Sequence, residues 1–576
     1  MSRSSKSNKP ASKRQKSSAP LFVAIGAAVA TVGAGAAVFF VWQKSQVPTG
    51  VIGTASAIPQ EAQVVMAFNT TSEPWQKLVQ FGTPDSQKLL SEGMEKSPLN
   101  SLLVQSKTDF SRDVQPWLKG HVITALIADP QKPNAPPATL VIAPTSDRAK
   151  SDLFLTKYRD ALTQQGAKFT PKEYKEFKYY ESPTRDPNNS VITADIGGRY
   201  VAIATSSALI QRTIDTYKGD LPSLAKKSSF ATVFGAESKS NIAEPLVQIY
   251  LDGAIALEFI GSQTKLSLGE PIIAQSRREL DAITLTAGTQ KEGLRFEVTT
   301  YLKDKGTTNN PQAQTAAGTV LNSLPQEAFL LVSGINLNQS WQSLVAQAKG
   351  NANSEQMLDQ IRKSVKDATK LDLERDILKW MTGEFAIAAI PNNQGILANP
   401  GFGFVVLLQT SNDKDAQATF DKLDAAAKTS SSGLIPQGVD LKSKKLGDRD
   451  IVTWQVGNAT MASHGSLGNN FVFWSMGDLA DQFVPKPTKS LPESSSFQIL
   501  TTGLPKTNGG YFYLNMTTAL TIADRLLPPD IRSTPSFTQV RAVLDAIRGI
   551  AVTSTNINSR ITRLDFLFTL KPTPGN

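Results

Sequence analysis

The distribution of charged and apolar residues divides the chain into a short N-terminal region and a long body. Residues 1–20 are rich in Ser, Lys and Arg, whereas no charged residue occurs from Leu21 to Trp42. An uncharged run of this length matches the hydrocarbon core of a bilayer, about 30 Å at about 1.5 Å per helical residue. The pattern therefore predicts a transmembrane signal-anchor helix over 21–42, with the membrane as the partner of that segment.

The body alternates short apolar runs, typical of strands, with longer amphipathic runs, typical of helices. In the first half the predicted strands are Gln63–Phe68, Val122–Ile127, Thr139–Ala143, Val201–Ala204, Leu246–Leu251 and Leu294–Tyr301. A helix is predicted over 146–165. Gly197-Gly198 predicts a hairpin turn, since two glycines permit positive φ angles. Many hairpins and few regular strand–helix–strand alternations favour antiparallel sheet covered by helices.

The body also repeats itself at an offset of about 266 residues. The matching segments, first copy and then second, are 58–62 and 324–328, 75–79 and 341–345, 112–120 and 375–383, 228–230 and 495–497, 250–252 and 513–515, and 280–283 and 544–547. Tryptophans recur at equivalent places in two of these pairs. The matches keep their order along the chain, so they predict two homologous units.

The predicted fold class is therefore α+β, with an N-terminal transmembrane helix followed by two homologous units of mainly antiparallel sheet covered by helices. The predicted domains are a basic cytoplasmic tail (1–20), the signal-anchor helix (21–42), a juxtamembrane linker (43–56), the first unit (57–304), a linker (305–322) and the second unit (323–572).

The charge distribution predicts an orientation for this arrangement. Seven of the 60 Lys and Arg residues precede Glu61, the first acidic residue, so the remaining body is close to neutral. Positive charge beside a transmembrane segment stays on the cytoplasmic side, which places the body in the periplasm or a lumen. The alternative is a signal peptide cleaved at Ala55-Ser56-Ala57. A neutral body gives no electrostatic reason to bind nucleic acid.

Composition removes several kinds of chemistry. The chain has no cysteine, which excludes disulfides, thiolate metal sites and cysteine nucleophiles. It has two histidines, His121 and His464, too few for a usual histidine metal site. We therefore predict no metal site and no cofactor.

Three short motifs have a structural interpretation that outweighs the functional one. Gly401-Phe402-Gly403 begins like a dinucleotide loop, but lacks the third glycine and precedes a strand-like run. Ser223-Leu224-Ala225-Lys226 fits a serine–lysine pattern, but the second copy has lost the lysine. Arg112-Asp113 and Arg375-Asp376 precede a tryptophan in each copy, as expected of a pair that orients the following strand. No catalytic, cofactor-binding or metal-binding residue is predicted.

The body resembles a domain-of-unknown-function family of cyanobacterial exported proteins, the one numbered three-three-five-two. The residues that carry the resemblance are Pro59 with Glu61-Ala62, Trp75 with Phe81-Gly82-Thr83, Asp109-Phe110 with Asp113, and Trp117 with Gly120. The resemblance spans 57–572. It implies a membrane-anchored protein that faces the periplasm or thylakoid lumen, and it implies no activity or cofactor.

Three classes of function stay open. The first is a non-enzymatic binding or scaffold module of the cell envelope or thylakoid, whose partner is a protein or the cell wall, favoured by the absence of catalytic motifs. The second is a tethered carrier or sensor of an apolar ligand such as a lipid or pigment, held between sheet and helices. The third is a hydrolase that uses a pair of carboxylates.

Overall fold

A computed structural model describes residues 50–88, 108–128, 136–184, 190–235, 240–264, 270–303, 316, 318–349, 352–429 and 438–573. The predicted cytoplasmic tail, the predicted membrane-spanning segment and the first part of the linker after it lie outside these ranges. No helix within the described ranges is long and apolar enough to cross a membrane.

Twenty strands run through the described residues. The first half contains β1 (Ala62–Asn69), β2 (His121–Ile127), β3 (Ala138–Pro144), β4 (Thr170–Tyr174), β5 (Phe177–Ser182), β6 (Val191–Ile196), β7 (Tyr200–Ala204), β8 (Pro245–Asp252), β9 (Leu280–Gln290) and β10 (Gly293–Leu302). The second half contains β11 (Leu330–Ile335), β12 (Glu384–Pro391), β13 (Phe402–Gln409), β14 (Asp440–Leu446), β15 (Arg449–Val456), β16 (Ala459–Gly468), β17 (Phe471–Met476), β18 (Tyr511–Asn515), β19 (Ile547–Asn558) and β20 (Ile561–Leu570).

Helices connect these strands and cover the sheet. In the first half they are α1 (Val51–Ala55), α2 (Ser72–Leu78), α3 (Arg148–Gln164), α4 (Ser207–Lys218), α5 (Ser228–Phe234), α6 (Ala256–Thr264) and α7 (Glu270–Glu279). In the second half they are α8 (Leu337–Ala348), α9 (Ala352–Thr369), α10 (Asp413–Thr429), α11 (Ser495–Thr501), α12 (Met516–Leu526), α13 (Pro529–Arg532) and α14 (Pro535–Asp545).

Local sequence signals explain where several elements begin and end. The Asp147 carboxylate accepts a hydrogen bond from the Lys150 amide, 3.1 Å, and so caps α3 where the sequence predicts a helix start. Gly197 and Gly198 both have positive φ, 62° and 67°, in the turn between β6 and β7. The predicted hairpin is therefore confirmed, and the six strands predicted in the first half are present within one or two residues of their predicted bounds.

The two halves pair their strands in the same pattern. The first half follows the order β4-β5-β6-β7-β3-β2-β1-β8-β9-β10. The second follows β14-β15-β16-β17-β13-β12-β11-β18-β19-β20, which is the same order with each number raised by ten. All of these pairs are antiparallel. The last strand of each half, β10 or β20, is therefore the final strand in the order of that half.

Those last strands, β10 and β20, pair with each other. Their register runs from Gly293 opposite Thr569 to Tyr301 opposite Ile561. The two halves therefore form one antiparallel sheet of twenty strands, with β4 and β14 at its edges. The predicted fold class, a transmembrane helix followed by two homologous units of sheet, is wrong. An apolar strand at the edge of a sheet has free backbone N–H and C=O groups, which tend to pair with another strand. Here the two final strands pair with each other and satisfy these groups.

Buried charges lie at the centre of this seam. Glu297 and Asp565 are directly opposite each other, and each follows an arginine by two residues, Arg295 and Arg563. All four are almost fully buried. Arg295 forms an ion pair with Asp565, and the Arg563 Nε atom lies 3.0 Å from the same carboxylate. Burial raises the pKa of the Glu297 carboxyl, although both arginines lie beside it and oppose that shift. We call these four residues the seam charges.

Neighbouring polar groups complete the seam. Ser240 donates to Glu297 Oε2 at 2.7 Å, and the Asn241 amide nitrogen donates to Glu297 Oε1 at 3.0 Å. Arg295 Nη1 donates to the Gly503 carbonyl, 2.8 Å away. Residues from both halves therefore supply the hydrogen bonds that buried charges need in order to be tolerated.

We expect Asp565→Asn to destabilise the protein by about 3–5 kcal/mol, because it leaves buried positive charge without its partner. The midpoint of urea unfolding at neutral pH would measure the loss. The double variant Arg295→Met with Asp565→Leu removes one charge of each sign, so it should be more stable than Asp565→Asn. Equal stability of wild type and Asp565→Asn would contradict this account of the seam.

Candidate functional site

The serine–lysine motif forms a structural turn. Ser223 makes a β-bridge with Pro59, and its counterpart Ser490 bridges Pro325 in the same way. A backbone hydrogen bond joins Lys226 to Ser223, 3.0 Å from the lysine amide nitrogen to the serine carbonyl oxygen. These contacts tie two loops together in each half and do not pair an amine with a hydroxyl nucleophile.

The glycine motif is explained by packing. Gly401-Phe402-Gly403 enters β13 and not a helix. A Cβ atom on Gly403 would lie 2.8 Å from Leu397 and 2.9 Å from Leu479, so a larger residue would displace both leucines. This segment has no helix N-terminus that could hold a phosphate.

The Arg112-Asp113 pair holds the segment before β2. The Asp113 carboxylate is 2.9 Å from Arg112 Nη2 and 2.9 Å from Lys157 Nζ of α3, and it accepts a hydrogen bond from the Asp109 amide at 2.9 Å. The Asp113 carbonyl accepts from Trp117 Nε1 at 2.7 Å. The contacts are those of a structural pairing, since they join three local elements and leave no oxygen facing a cleft.

The second half keeps the carboxylate but changes its partners. Asp376 lies 2.8 Å from Lys422 Nζ and accepts from the Asp372 amide at 2.8 Å. Arg375, however, pairs with Asp372 at 3.2 Å, and Trp380 Nε1 donates to a threonine hydroxyl of α10. The Arg-Asp dipeptide therefore recurs at the same place in both halves, but the ion pair between its two residues does not recur.

The two histidines lie in different surroundings. His121 begins β2, and His464 is buried in β16. The His464 Nε2 atom lies 2.8 Å from Asp424 Oδ1, which also accepts from Trp454 Nε1 at 2.7 Å, and Phe420 stacks on the imidazole. The sequence did not reveal this pair because its members are far apart along the chain. Among the described residues, no group of histidine and acidic side chains could hold a metal ion.

Four apolar side chains lie exposed on one face of the sheet in the second half. They are Val332 (40% exposed), Ile387 (36%), Phe404 (37%) and Phe512 (37%), each on a different strand. Val332 is directly opposite both Phe512 and Ile387 in the sheet. Phe404, on the next strand β13, is opposite Ala389 and therefore diagonal to Ile387, at about 7–8 Å. Opposed side chains in an antiparallel sheet are about 5 Å apart at Cβ. The four therefore form one surface, which we call the apolar groove.

The groove separates two parts of the core. Along β12, Phe385 packs with Trp380 in one cluster and Ala389 packs with Ile522 in another, while Ile387 between them is uncovered. Phe385 and Ala389 are four residues apart, about 13 Å at about 3.3 Å per residue. An α-helix with its side chains is about 10–12 Å across. The uncovered floor between these two covered positions is narrower than this distance, so it admits one row of side chains and not a whole helix.

The first half covers the equivalent surface. Met66, opposite Ile249 and Thr124, occupies the place of Val332, and none of these three side chains is exposed. Ile249 and Met66 belong to a single core cluster that also contains Phe154 of α3. In the second half, Ile387 and Phe512 occupy the positions that Thr124 and Ile249 occupy in the first half. Larger apolar groups on the open face are unusual for a surface that meets only water.

A family profile matches almost the whole chain. The profile, described as a protein of unknown function (DUF3352), matches residues 23–570. This chain belongs to the DUF3352 family. No curated protein matches the DUF3352 chain.

Solved structures add only weak similarity. Crystal form III of TP0453 has 13% identity and a TM-score of 0.25, over 45% of the DUF3352 chain and 82% of TP0453. Crystal form IV has 12% identity and a TM-score of 0.24, over 43% and 80%. Crystal form I has 12% identity and a TM-score of 0.24, over 46% and 81%. Similarities at this level establish neither a shared fold nor a shared function.

We expect the DUF3352 protein to lose the stabilising effect of Asp113 in acid. Arg112, with backbone and lysine partners, holds the pKa of the Asp113 carboxyl well below its usual range. Its stabilisation is therefore present above the unfolded-state pKa of about 3.9 and is lost as pH falls through the lower folded-state pKa. At pH 7 Asp113→Asn should cost about 1–2 kcal/mol, since water screens the exposed cations.

Urea unfolding of wild type and Asp113→Asn from pH 7 to pH 2 would measure this difference, which should shrink below about pH 4. Asp367→Asn is the matched control, because Asp367 pairs with Lys363 on an exposed face of α9. Its unfolding midpoint should stay close to that of wild type. A gap between wild type and Asp113→Asn that widens in acid would contradict the sign of this prediction.

Proposed function

We propose that this DUF3352 protein is a non-catalytic binding module that holds an amphipathic helix of a partner protein in its apolar groove. The observation that carries the proposal is the continuous exposure of Val332, Ile387, Phe404 and Phe512 on adjacent strands. An extracytoplasmic position for the module stays a prediction from the sequence.

The shape of the groove favours a helix as its occupant. The floor admits one row of apolar side chains and runs across the strands, between the cluster of α8 and α10 and the cluster of α12. Amphipathic helices bind grooves of this kind through apolar residues at spacings of three and four. A helix laid across β18, β11, β12 and β13 would restore the closed core that the first half already has.

The near-neutral body favours a protein partner over an anionic membrane surface. Peripheral membrane binding combines an apolar face with many Lys and Arg side chains around it. The residues after Glu61 have almost equal numbers of basic and acidic side chains. Burial of apolar area alone, at about 25 cal/mol per Å², must then supply the affinity.

The other two classes of function have less support. The carboxylates that converge at the seam, Glu297 and Asp565, are buried and paired with arginines. A glycosidase pair needs one acid and one base that both reach the substrate. The apolar surface is an open face and not an enclosed cavity, which does not match a carrier that shields a lipid or pigment from water.

We expect the protein to bind a fluorescent 18-residue amphipathic helix of Leu and Lys, and to bind a scrambled peptide of the same composition more weakly. Val332→Glu with Ile387→Glu should weaken binding at least tenfold, about 1.4 kcal/mol or more, because two carboxylates would lie under the apolar face of the helix. Fluorescence anisotropy would give the two dissociation constants.

The control is Val79→Glu with Leu153→Glu, which adds the same charge at apolar side chains of similar exposure in the first half. This variant should bind the helical peptide within twofold of wild type. Equal weakening by both double variants would show a charge effect and reject the groove. Equal binding of the helical and scrambled peptides would reject a helix as the occupant.

A further inference from the structure

A pocket of about 180 Å³ lies where β18 ends and α12 begins. Its polar lining consists of Ser496, Asn515, Thr517, Thr518 and Arg548, and part of its wall is apolar, from α11. The volume exceeds the roughly 30 Å³ share of one water molecule several times. The pocket is therefore large enough for a small polyatomic ligand.

The equivalent place in the first half is closed by internal contacts. Tyr250 and Tyr513 have the same position in the sheet, opposite β9 and β19. In the first half the Tyr250 hydroxyl is 2.8 Å from the Ser229 hydroxyl. Lys227 Nζ forms an ion pair with Asp252, 2.5 Å. The polar groups of the first half are thus satisfied by one another.

The second half has changed the charges of this place. Ser494 stands where the first half has Lys227, and Asn515 stands where it has Asp252. The sequence match of 280–283 with 544–547 aligns Asp281 with Asp545, but the strand register corrects it. Arg548 stands where the first half has Asp281, immediately before the residue opposite the last residue of β8 or β18. Two carboxylates and one ammonium group have been replaced by a single guanidinium group. The local charge has therefore changed from negative to positive.

The Arg548 guanidinium has no internal counter-charge. Within the part of the chain that the structure describes, its side chain makes no ion pair or hydrogen bond, although it lines the pocket. An arginine in a partly enclosed position normally pairs with a carboxylate or another oxyanion. A ligand that enters the pocket can supply that charge.

A serine hydroxyl that is used internally in the first half faces the pocket in the second. In the first half the Ser229 hydroxyl contacts the Tyr250 hydroxyl, whereas Ser496, the residue equivalent to Ser229, lines the pocket. Tyr513, the counterpart of Tyr250, is fully buried outside the pocket lining, and its hydroxyl approaches the Asn515 side chain instead. The Ser496 hydroxyl is therefore placed to meet a ligand.

The start of α12 adds backbone donors. Asn515 caps this helix of 11 residues by accepting from the Thr518 amide at 3.3 Å. The remaining amide groups of the first turn have no partner within the helix, and the helix dipole favours negative charge beside them.

We propose that this pocket binds a phosphate group, with Arg548 as its counter-charge and the hydroxyls of Ser496 and Thr518 as further donors. The pocket lining combines a guanidinium, three hydroxyls and the first turn of α12. A tetrahedral oxyanion can use more of these donors than a planar carboxylate, for which two parallel donors suffice. The phosphate group comes either from a free small molecule or from a lipid headgroup.

The test measures the unfolding temperature of the full chain at fixed ionic strength, with chloride exchanged for inorganic phosphate. Phosphate at 100 times its dissociation constant should stabilise the folded state by about 2.7 kcal/mol and raise the midpoint, because it binds only the folded pocket. Arg548→Asp, which restores the acidic residue of the first half, should weaken phosphate binding at least tenfold and abolish the rise.

Two further variants distinguish a site from general attraction or misfolding. Arg532→Asp makes the same charge change on the exposed α13 and should keep the full effect of phosphate. Ser496→Ala removes one of the proposed donor hydroxyls and should weaken phosphate binding while leaving the ligand-free midpoint close to that of wild type. An equal loss in Arg532→Asp, or an equal rise with acetate in wild type, would overturn the proposal.

The source of the phosphate group is distinguished by ligand form. Glycerol phosphate that binds as well as inorganic phosphate, without binding to phosphatidate vesicles, indicates a free small molecule. Retention on phosphatidate vesicles but not on phosphatidylcholine vesicles, lost in Arg548→Asp, indicates a headgroup. Failure of inorganic phosphate, glycerol phosphate and phosphatidate alike to bind would reject the pocket, and would leave the helix-binding groove untouched.

Discussion

The pairing of β10 with β20 around four buried charges is the interaction on which the rest of the structure depends. Glu297 and Asp565 lie directly across the strands, where two like charges repel. The two arginines, each two residues before a carboxylate, neutralise this repulsion on the same face. The seam charges therefore select one register. A slip of β20 by one residue would turn Arg563 and Asp565 to the opposite, apolar face, away from Arg295 and Glu297.

Duplication of one pairing pattern has left two halves with different surfaces. The first half closes both faces of its sheet with helices and satisfies Lys227, Asp252, Ser229 and Tyr250 internally. The second half leaves its groove open and, among the described residues, leaves Arg548 without an ion pair. The first half thus supplies a comparison within the same molecule, because it shows the same places closed by internal contacts. Both candidate binding surfaces, the apolar groove and the pocket, lie in the second half.

The sequence predicts the local elements well because local residues determine them. The strand over 62–69 follows from its apolar run, and the turn at Gly197-Gly198 follows from its positive φ angles. The seam was missed because an apolar strand does not reveal which other strand it pairs with. Its signal was nevertheless present, since Arg295-Phe296-Glu297 and Arg563-Leu564-Asp565 repeat an alternating charge pattern inside two apolar strands.

The candidate sites depend on packing that no single segment determines. The apolar sequence around Ile387 predicts a core residue. Ile387 is exposed only because the helices of the two neighbouring clusters lie on either side of it. The sequence shows Arg548 only as a charged residue at the start of a strand. That it lines a pocket with Asn515 and Ser496 follows only from the folded structure. Comparison of the two copies, residue by residue, would have shown the changes from Asp252 to Asn515 and from Lys227 to Ser494.

The two edge strands determine whether further copies of the protein can pair with the ends of the sheet. A sheet with one free strand at each end can add a copy at both, and such head-to-tail contacts build open polymers unless they close into a ring. Pro171 removes a backbone donor from β4, while Lys442, Lys444 and Lys445 place three positive charges on β14. Both devices oppose strand addition. The long sheet therefore carries features at both ends that disfavour its extension into a fibre.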